Sequence, residues 1–191
     1  MSYAVRYINS TGETCTISRN PPLSTKVSKR RSTSSIRDFG AREAYWEGLI
    51  PLDTELLSGE TFTIDGETYL VQSVVNDPAS GEIFWYAVKT NTILCHQRLE
   101  KKADKNRNIK LSWKCKNTSV PAFGEIVTVE MRNRDPGILQ GTRYFFQVSK
   151  LKGVLILDRV LFNDNAYRVD AVNDIGMPGV VRIQVSEDNR A

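Results

Sequence analysis

Apolar residues recur at every second position along most of the chain, and short clusters of Gly, Asn, Asp and Pro interrupt them. Alternation of that period sends successive side chains to opposite faces of an extended backbone, so it predicts β-strands with one buried face. The clearest instance is Thr61-Phe-Thr-Ile64, then Asp65-Gly66, then Thr68-Tyr-Leu-Val71. Phe62 and Ile64 share one face, Tyr69 and Val71 share a face of the partner, and Asp-Gly suits a type I′ turn, whose two central residues need positive φ. Further strands are predicted at 15–19, 83–88, 93–99, 109–115, 126–131, 144–148 and 180–185, and one short helix at 42–47. The class is mainly β.

The second half repeats the order of the first. Tyr69-Leu-Val71-Gln-Ser-Val74-Val-Asn76-Asp77 resembles Tyr167-Arg-Val169-Asp-Ala-Val172-Asn173-Asp174. Upstream, Ile64-Asp65-Gly66 matches Phe162-Asn163-Asp164 and Phe62 lies over Val160; downstream, residues 81–87 lie over 179–185. The same succession of strand, tight turn, strand, Asn-Asp loop and strand predicts two small β-barrel or sandwich modules in tandem with extended loops, the second a repeat of the first. The 191 residues suit two small domains, with the boundary expected between 1–100 and 101–191. Phe62, Ile64, Tyr69, Trp85, Phe162, Tyr167 and Ile183 are the expected core, and Trp46, Trp85 and Trp113 stand where a core would take them.

The inventory for catalysis is thin. A single histidine, His96, cannot supply a two-histidine metalloprotease motif, and no orienting partner for it is visible in sequence, so it reads as structural or surface. Cys15, Cys95 and Cys115 form no C-x-x-C pair and read as reduced thiols rather than a zinc site. No glycine-rich nucleotide cradle follows a strand. Asp164, Asp170 and Asp174 lack the ligand spacing of a calcium loop. The expectation is a protein without enzymatic activity, cofactor or metal. No apolar run approaches bilayer length and no signal peptide is readable, so the chain is expected to stay in the cell that makes it.

Charge is uneven. Residues 43–88 contain no Lys or Arg while acidic residues accumulate, although the whole chain carries a net charge of +4. Two basic stretches flank the acidic one. The first lies in a Ser/Thr/Pro-rich segment, 20–38, that lacks apolar periodicity and is expected to be flexible. The second, Lys101-Lys102-Ala-Asp-Lys105-Asn-Arg107-Asn, is expected at the tip of a hairpin with arms 93–99 and 109–115. Candidate contact residues are therefore Lys29, Arg30, Arg31, Lys101, Lys102, Lys105 and Arg107. Basic loops of this kind are solvated, dock on an acidic surface, or meet phosphates; an acidic 43–88 face would let copies pair head to tail.

The order of blocks is itself informative. Gly66-Glu-Thr-Tyr69-Leu-Val71, an Asn-Asp loop, a strand, and Thr90-Asn-Thr-Ile-Leu-Cys95 come first. A basic hairpin then leads into Leu111-Ser-Trp113-Lys-Cys115, followed by Gly124-Glu-Ile-Val-Thr-Val, Gly141-Thr-Arg-Tyr-Phe-Phe and Ala166-Tyr167-Arg-Val169. Over about residues 60–185 this resembles the neck proteins of long-tailed bacteriophages, the head-closure or head–tail connector proteins. The resemblance implies a structural virion protein without enzymatic activity, made in the host cytoplasm and placed at the head–tail junction. It implies a homo-oligomeric ring between portal or adaptor and tail proteins, through which genome DNA passes with non-specific contacts and no membrane involvement. The contacts would be carried by mobile segments 20–38, 100–108 and 132–141. Two other classes stay open: another tail or baseplate component, and a nucleic-acid-binding β-barrel of the OB type.

Overall fold

Each run of alternating residues hides one face, and that face is satisfied by curling the sheet until its last strand meets its first. The computed structural model describes residues 3–32, 42–103 and 108–190. In it the chain folds as two closed six-stranded antiparallel β-barrels in tandem. Among the described residues, closure leaves no terminal strand in either barrel wall.

The first unit begins with helix α1 (Tyr3–Thr11), which the strand alternation did not anticipate; its Ile8 is fully buried. Lys26 donates to the Asn9 carbonyl at 2.8 Å near the helix end, where a cation favours the dipole. Then come β1 (Glu13–Ile17), β2 (Leu23–Arg31), β3 (Tyr45–Pro51), β4 (Thr61–Ile64), β5 (Glu67–Asp77) and β6 (Glu82–Lys89). Their order around the barrel is β1-β2-β3-β6-β5-β4, and β1 pairs with β4 to close it. The core is built from Cys15, Ile17, Val27, Ile50, Phe62, Ile64, Tyr69, Val71, Ile83 and Trp85.

The second barrel contains β7 (Thr92–Ala103), β8 (Ile109–Ile126), helix α2 (Val129–Arg134), β9 (Tyr144–Ser149), β10 (Arg159–Phe162), β11 (Asn165–Asn173) and β12 (Val180–Glu187). Read from β7, its order is β7-β8-β9-β12-β11-β10, the same circuit as the first. Its core includes Leu94, Val120, Phe146, Val160, Tyr167, Val169, Ile183 and Val185, with Phe162 half-buried against Tyr144 and Phe146 at ring distances of 5.5 and 5.4 Å.

The internal echo holds at the level of register. The β5–β6 ladder shifts between Val71 and Ser73, and the β11–β12 ladder between Val169 and Ala171. Asp65 and Gly66 turn with φ of 50° and 80°, and Asn163 and Asp164 at the matching place with 48° and 61°. Gly59 N–H donates to Val71 O as Leu157 N–H donates to Val169 O, at 2.8 and 2.9 Å. Every one of these pairs is separated by the same interval along the chain.

Four expectations change. The first stretch of the first unit ends at Asn91, because all of β7 belongs to the second barrel, and that unit also takes in Ser149–Leu151 and Asp174–Val181; the basic run at 101 lies inside a strand and marks no boundary. Much of the segment 20–38 is strand β2, whose inward positions Leu23, Thr25, Val27 and Lys29 mix polar with apolar residues and so hide the alternation; residues 33–38 lie outside the described residues. Residues 42–47 hold a 3-10 turn (Arg42–Ala44) and the start of β3 rather than a helix. Strand β8 ends at Ile126, and 129–131 are helical because the Thr128 side chain accepts from Met131 N–H and caps α2.

Candidate functional site

The basic residues of β2 are occupied by their own barrel. Lys29 Nζ lies 2.7 Å from Glu13 and 3.7 Å from Asp65, and over the Trp46 and Tyr69 rings at 5.7 and 5.9 Å. Arg30 donates from Nε to Glu47 at 2.8 Å, and Ser32 holds the second oxygen of that buried carboxylate. Arg31 stands 3.9 Å from Glu43. Lys89 reaches Glu67, whose carboxyl is held below its usual range by hydrogen bonds from Lys89 and then Tyr69. Four carboxylates of the acidic stretch 43–88, those of Glu43, Glu47, Glu60 and Asp65, thus pair with basic residues of 19–31 inside the first barrel. Those four are engaged within the chain and are not free to receive a second copy.

The second basic stretch is differently placed. Lys101 and Lys102 are strand residues, because β7 and β8 remain paired out to Ala103 and Ile109. Strand β10 pairs with β7 only over Cys95–Gln97, and β9 pairs with β8 only from Phe123 onward. The remainder of β7 and β8 forms a two-stranded ribbon extending past the barrel wall. Lys105 and Arg107 lie outside the described residues.

Register assigns the two faces of this ribbon, since directly paired residues share a side. Leu99 opposite Trp113, Lys101 opposite Leu111 and Ala103 opposite Ile109 make one face, largely apolar. Arg98 opposite Lys114, Glu100 opposite Ser112 and Lys102 opposite Lys110 make the other, largely basic. Ile109 is 68% and Leu111 58% exposed. Near the root both faces are bound down. Arg159 and Arg190 stack on Trp113 at 3.8 and 4.9 Å, so this tryptophan is a half-buried platform for arginines and not the core residue expected. Glu100 receives Lys114 and Lys116 at 2.8 and 2.9 Å, and those hydrogen bonds lower its pKa to about 2. Toward the tip, Lys102 and Lys110 sit directly opposed, a like-charge pairing that costs a sheet stability on its own.

Where the ribbon joins the barrel there is a buried polar cluster that sequence reasoning missed. His96 Nε2 lies 2.7 Å from Asp158 Oδ2, and Asn117 Nδ2 lies 3.1 Å from His96 Nδ1. Asn117 Nδ2 also donates to the Lys152 carbonyl, which fixes its amide, so His96 Nδ1 accepts and Nε2–H donates. Arg98 donates to both Asp158 oxygens, at 2.8 and 2.7 Å, and to the Gly153 carbonyl. Burial alone would raise the Asp158 pKa; hydrogen bonds from Arg98, His96 and Leu155 N–H together hold it below the usual range. His96 therefore has its orienting carboxylate, and both ring nitrogens serve the structure.

The first barrel carries the same clasp. Arg19 donates from Nε and Nη2 to the two oxygens of Glu60, and further to the Thr54 and Glu55 carbonyls. Leu57 N–H donates to Glu60 as Leu155 N–H does to Asp158, both at 2.8 Å. In the pairing registers Ile17 faces Phe62 where His96 faces Val160, so the histidine cluster replaces an apolar pair at one place in a shared plan.

The segment 132–141 is pinned and not a free arm. Arg132 donates to the carbonyls of Leu139, Gln140 and Thr142, and Gln184 braces Leu139 N–H, Thr142 and the Gly137 carbonyl. Among the described residues no group of three or more His, Cys, Asp and Glu is placed to hold a metal ion, and no helix is long and apolar enough to cross a membrane. Compared with known proteins, the chain matches no protein-family pattern and no curated protein.

Proposed function

We propose that this protein is a structural subunit of the bacteriophage neck, a head-closure or head–tail connector protein that assembles as part of the ring between portal and tail. The observation that carries the reading is the ribbon of β7 and β8. It extends past the barrel wall and presents Ile109 and Leu111 on one face and the opposed Lys102 and Lys110 on the other. A single chain gains nothing from exposing these side chains, whereas a subunit interface buries the apolar face and an anionic neighbour relieves the like-charge pair. The closed second barrel serves as a rigid mount for that arm, and genome DNA in the channel meets lysines through its phosphates without sequence preference.

Electron microscopy of the purified protein, and of phage particles from its source, tests this. Rings in solution or at the head–tail junction support the reading; a monomer absent from particles overturns it. The opposed lysines also suit a second reading, a nucleic-acid-binding barrel, and salt-sensitive binding of oligonucleotides by that monomer would establish it.

The ribbon assignment makes a separable prediction. Replacing Ile109, Leu111, Lys102 and Lys110 together by serine is expected to change stability by no more than about 0.5 kcal/mol per site, since all four are exposed. The same variant is expected to lose self-association, read by sedimentation velocity beside a thermal melt. Retained association with an unchanged melt would remove the ribbon from the interface.

A further inference from the structure

Cys95 and Cys115 stand twenty residues apart in sequence, and the fold brings their Sγ atoms to 3.4 Å. They meet where the ribbon leaves the barrel: Cys95 is paired to Leu161 of β10, and Cys115 to Gln97, the last β7 residue that β10 reaches. Register shifts at Leu94/His96 and His96/Gln97 interrupt the regular ladder there and set the two sulfurs side by side. Cys115 is exposed and Cys95 half-buried, so Cys115 is the more accessible of the two to a soluble reagent.

We propose that Cys95 and Cys115 are a thiol–disulfide modification site, oxidised by a small-molecule disulfide such as oxidised glutathione, whose closure staples the root of the ribbon. Cys115 as thiolate attacks one sulfur of the reagent; that S–S bond breaks, and the first glutathione leaves with the electron pair and takes up a proton. Cys95 then gives up its proton to water and attacks the Cys115 sulfur of the mixed disulfide, expelling the second glutathione. Two protein thiols are oxidised and one reagent disulfide is reduced to two thiols. Closing from the 3.4 Å approach of the two sulfurs to a bond of about 2.05 Å asks for rotation of two side chains whose Sγ atoms already meet, although Cys115 is paired in register with Gln97. Burial, and then the hydrogen bond with Cys115, push the Cys95 thiol up, which lowers its thiolate fraction and makes its attack the slower step; the contact already made with the Cys115 sulfur favours that step. Cys15 takes no part: it is buried in the first barrel's core, and burial pushes its thiol up to about 12.

The test is incubation of the folded full chain with oxidised glutathione, followed by intact-mass measurement and a non-reducing peptide map. The expected product lacks two hydrogen atoms, carries no glutathione, and joins the peptides holding Cys95 and Cys115. Amide hydrogen exchange at 97–103 and 109–115 is expected to slow on oxidation and recover with reductant. Cys15→Ser should behave as wild type, while Cys95→Ser should stop at a glutathione adduct on Cys115. If the serine variants fail to fold, the wild-type peptide map alone decides. A product bearing only glutathione adducts, or dimers linked through Cys115, would overturn the proposal.

Discussion

Replacing Asp158 by asparagine is expected to destabilise the second barrel by about 3 kcal/mol, the scale of leaving one member of a buried pair uncompensated. The carboxylate is almost fully buried and accepts from Arg98 twice, from His96 and from Leu155 N–H. Asparagine offers one oxygen in place of two and puts an amide donor against a guanidinium or an imidazole N–H. Arg98 is one-third exposed and recovers some hydration, which keeps the loss at the lower end of the range for buried pairs. In the first barrel, Glu60→Gln removes the same clasp from Arg19 but strands no histidine, and a smaller loss of about 2 kcal/mol is expected. Urea titration followed through the protected amides of β10 and β11 measures the first, and those of β4 and β5 the second. A loss no larger at Asp158 than at Glu60 would mean the histidine adds nothing to the clasp.

The same carboxylate sets an acid limit. Asp158 is held below its ordinary range, as is Asp188, where burial acts upward but hydrogen bonds from Arg190 and Arg159 outweigh it. Both groups bind a proton more weakly folded than unfolded. Their stabilisation is complete above the unfolded carboxylate value near pH ~4 and is lost as pH falls through the lower folded values. The second barrel's melting temperature should therefore fall as pH drops below about 4, and fall less steeply in the Asp158→Asn variant.

What could be read from the residues was local. The Asp65-Gly66 turn, the strands either side of it and the echo around Asn163-Asp164 were legible because turn chemistry and period-two alternation act over a few positions. Strand β2 was not, because Lys29 occupies an inward position and becomes tolerable only once Glu13 and the Trp46 and Tyr69 rings surround it. Glu47 is the same case seen from β3: a buried carboxylate makes sense only when Arg30 is its neighbour. The two arginine clasps join residues 41 and 60 positions apart, and no spacing rule reaches that far. Helix α2 left a signal that alternation outvoted, with Thr128 at the cap, Glu130 in the first turn and Arg132 and Arg134 in the last. The basic run at 101–107 was visible as charge, but its division into an apolar and a basic face needed the β7–β8 register.

The largest effect in the first barrel is expected at Trp85. Its side chain is fully buried, packs edge-on to Phe62 at 5.1 Å, and lies opposite Gly48 in the β3–β6 register. Trp85→Ala should cost about 4 kcal/mol, because a closed barrel cannot collapse onto so large a void without breaking its ladders. Trp85→Phe should cost much less, about 1 kcal/mol: it loses part of the ring but also removes the indole N–H, which is buried without a partner among the described residues. Gly48 is the other half of the arrangement. A Cβ there would stand 2.8 Å from Trp85 Cζ2 and 1.9 Å from the Ser28 carbonyl oxygen, so Gly48→Ala should cost about 3 kcal/mol. The shorter of these contacts is to backbone, which decides the outcome of the double variant. Trimming the ring with Trp85→Phe leaves the Ser28 clash in place, and the two costs should add with little coupling when read as urea midpoints. Rescue of Gly48→Ala by Trp85→Phe would show that β2 and β3 can part to admit a methyl group, and that the ring sets the barrel's tolerance.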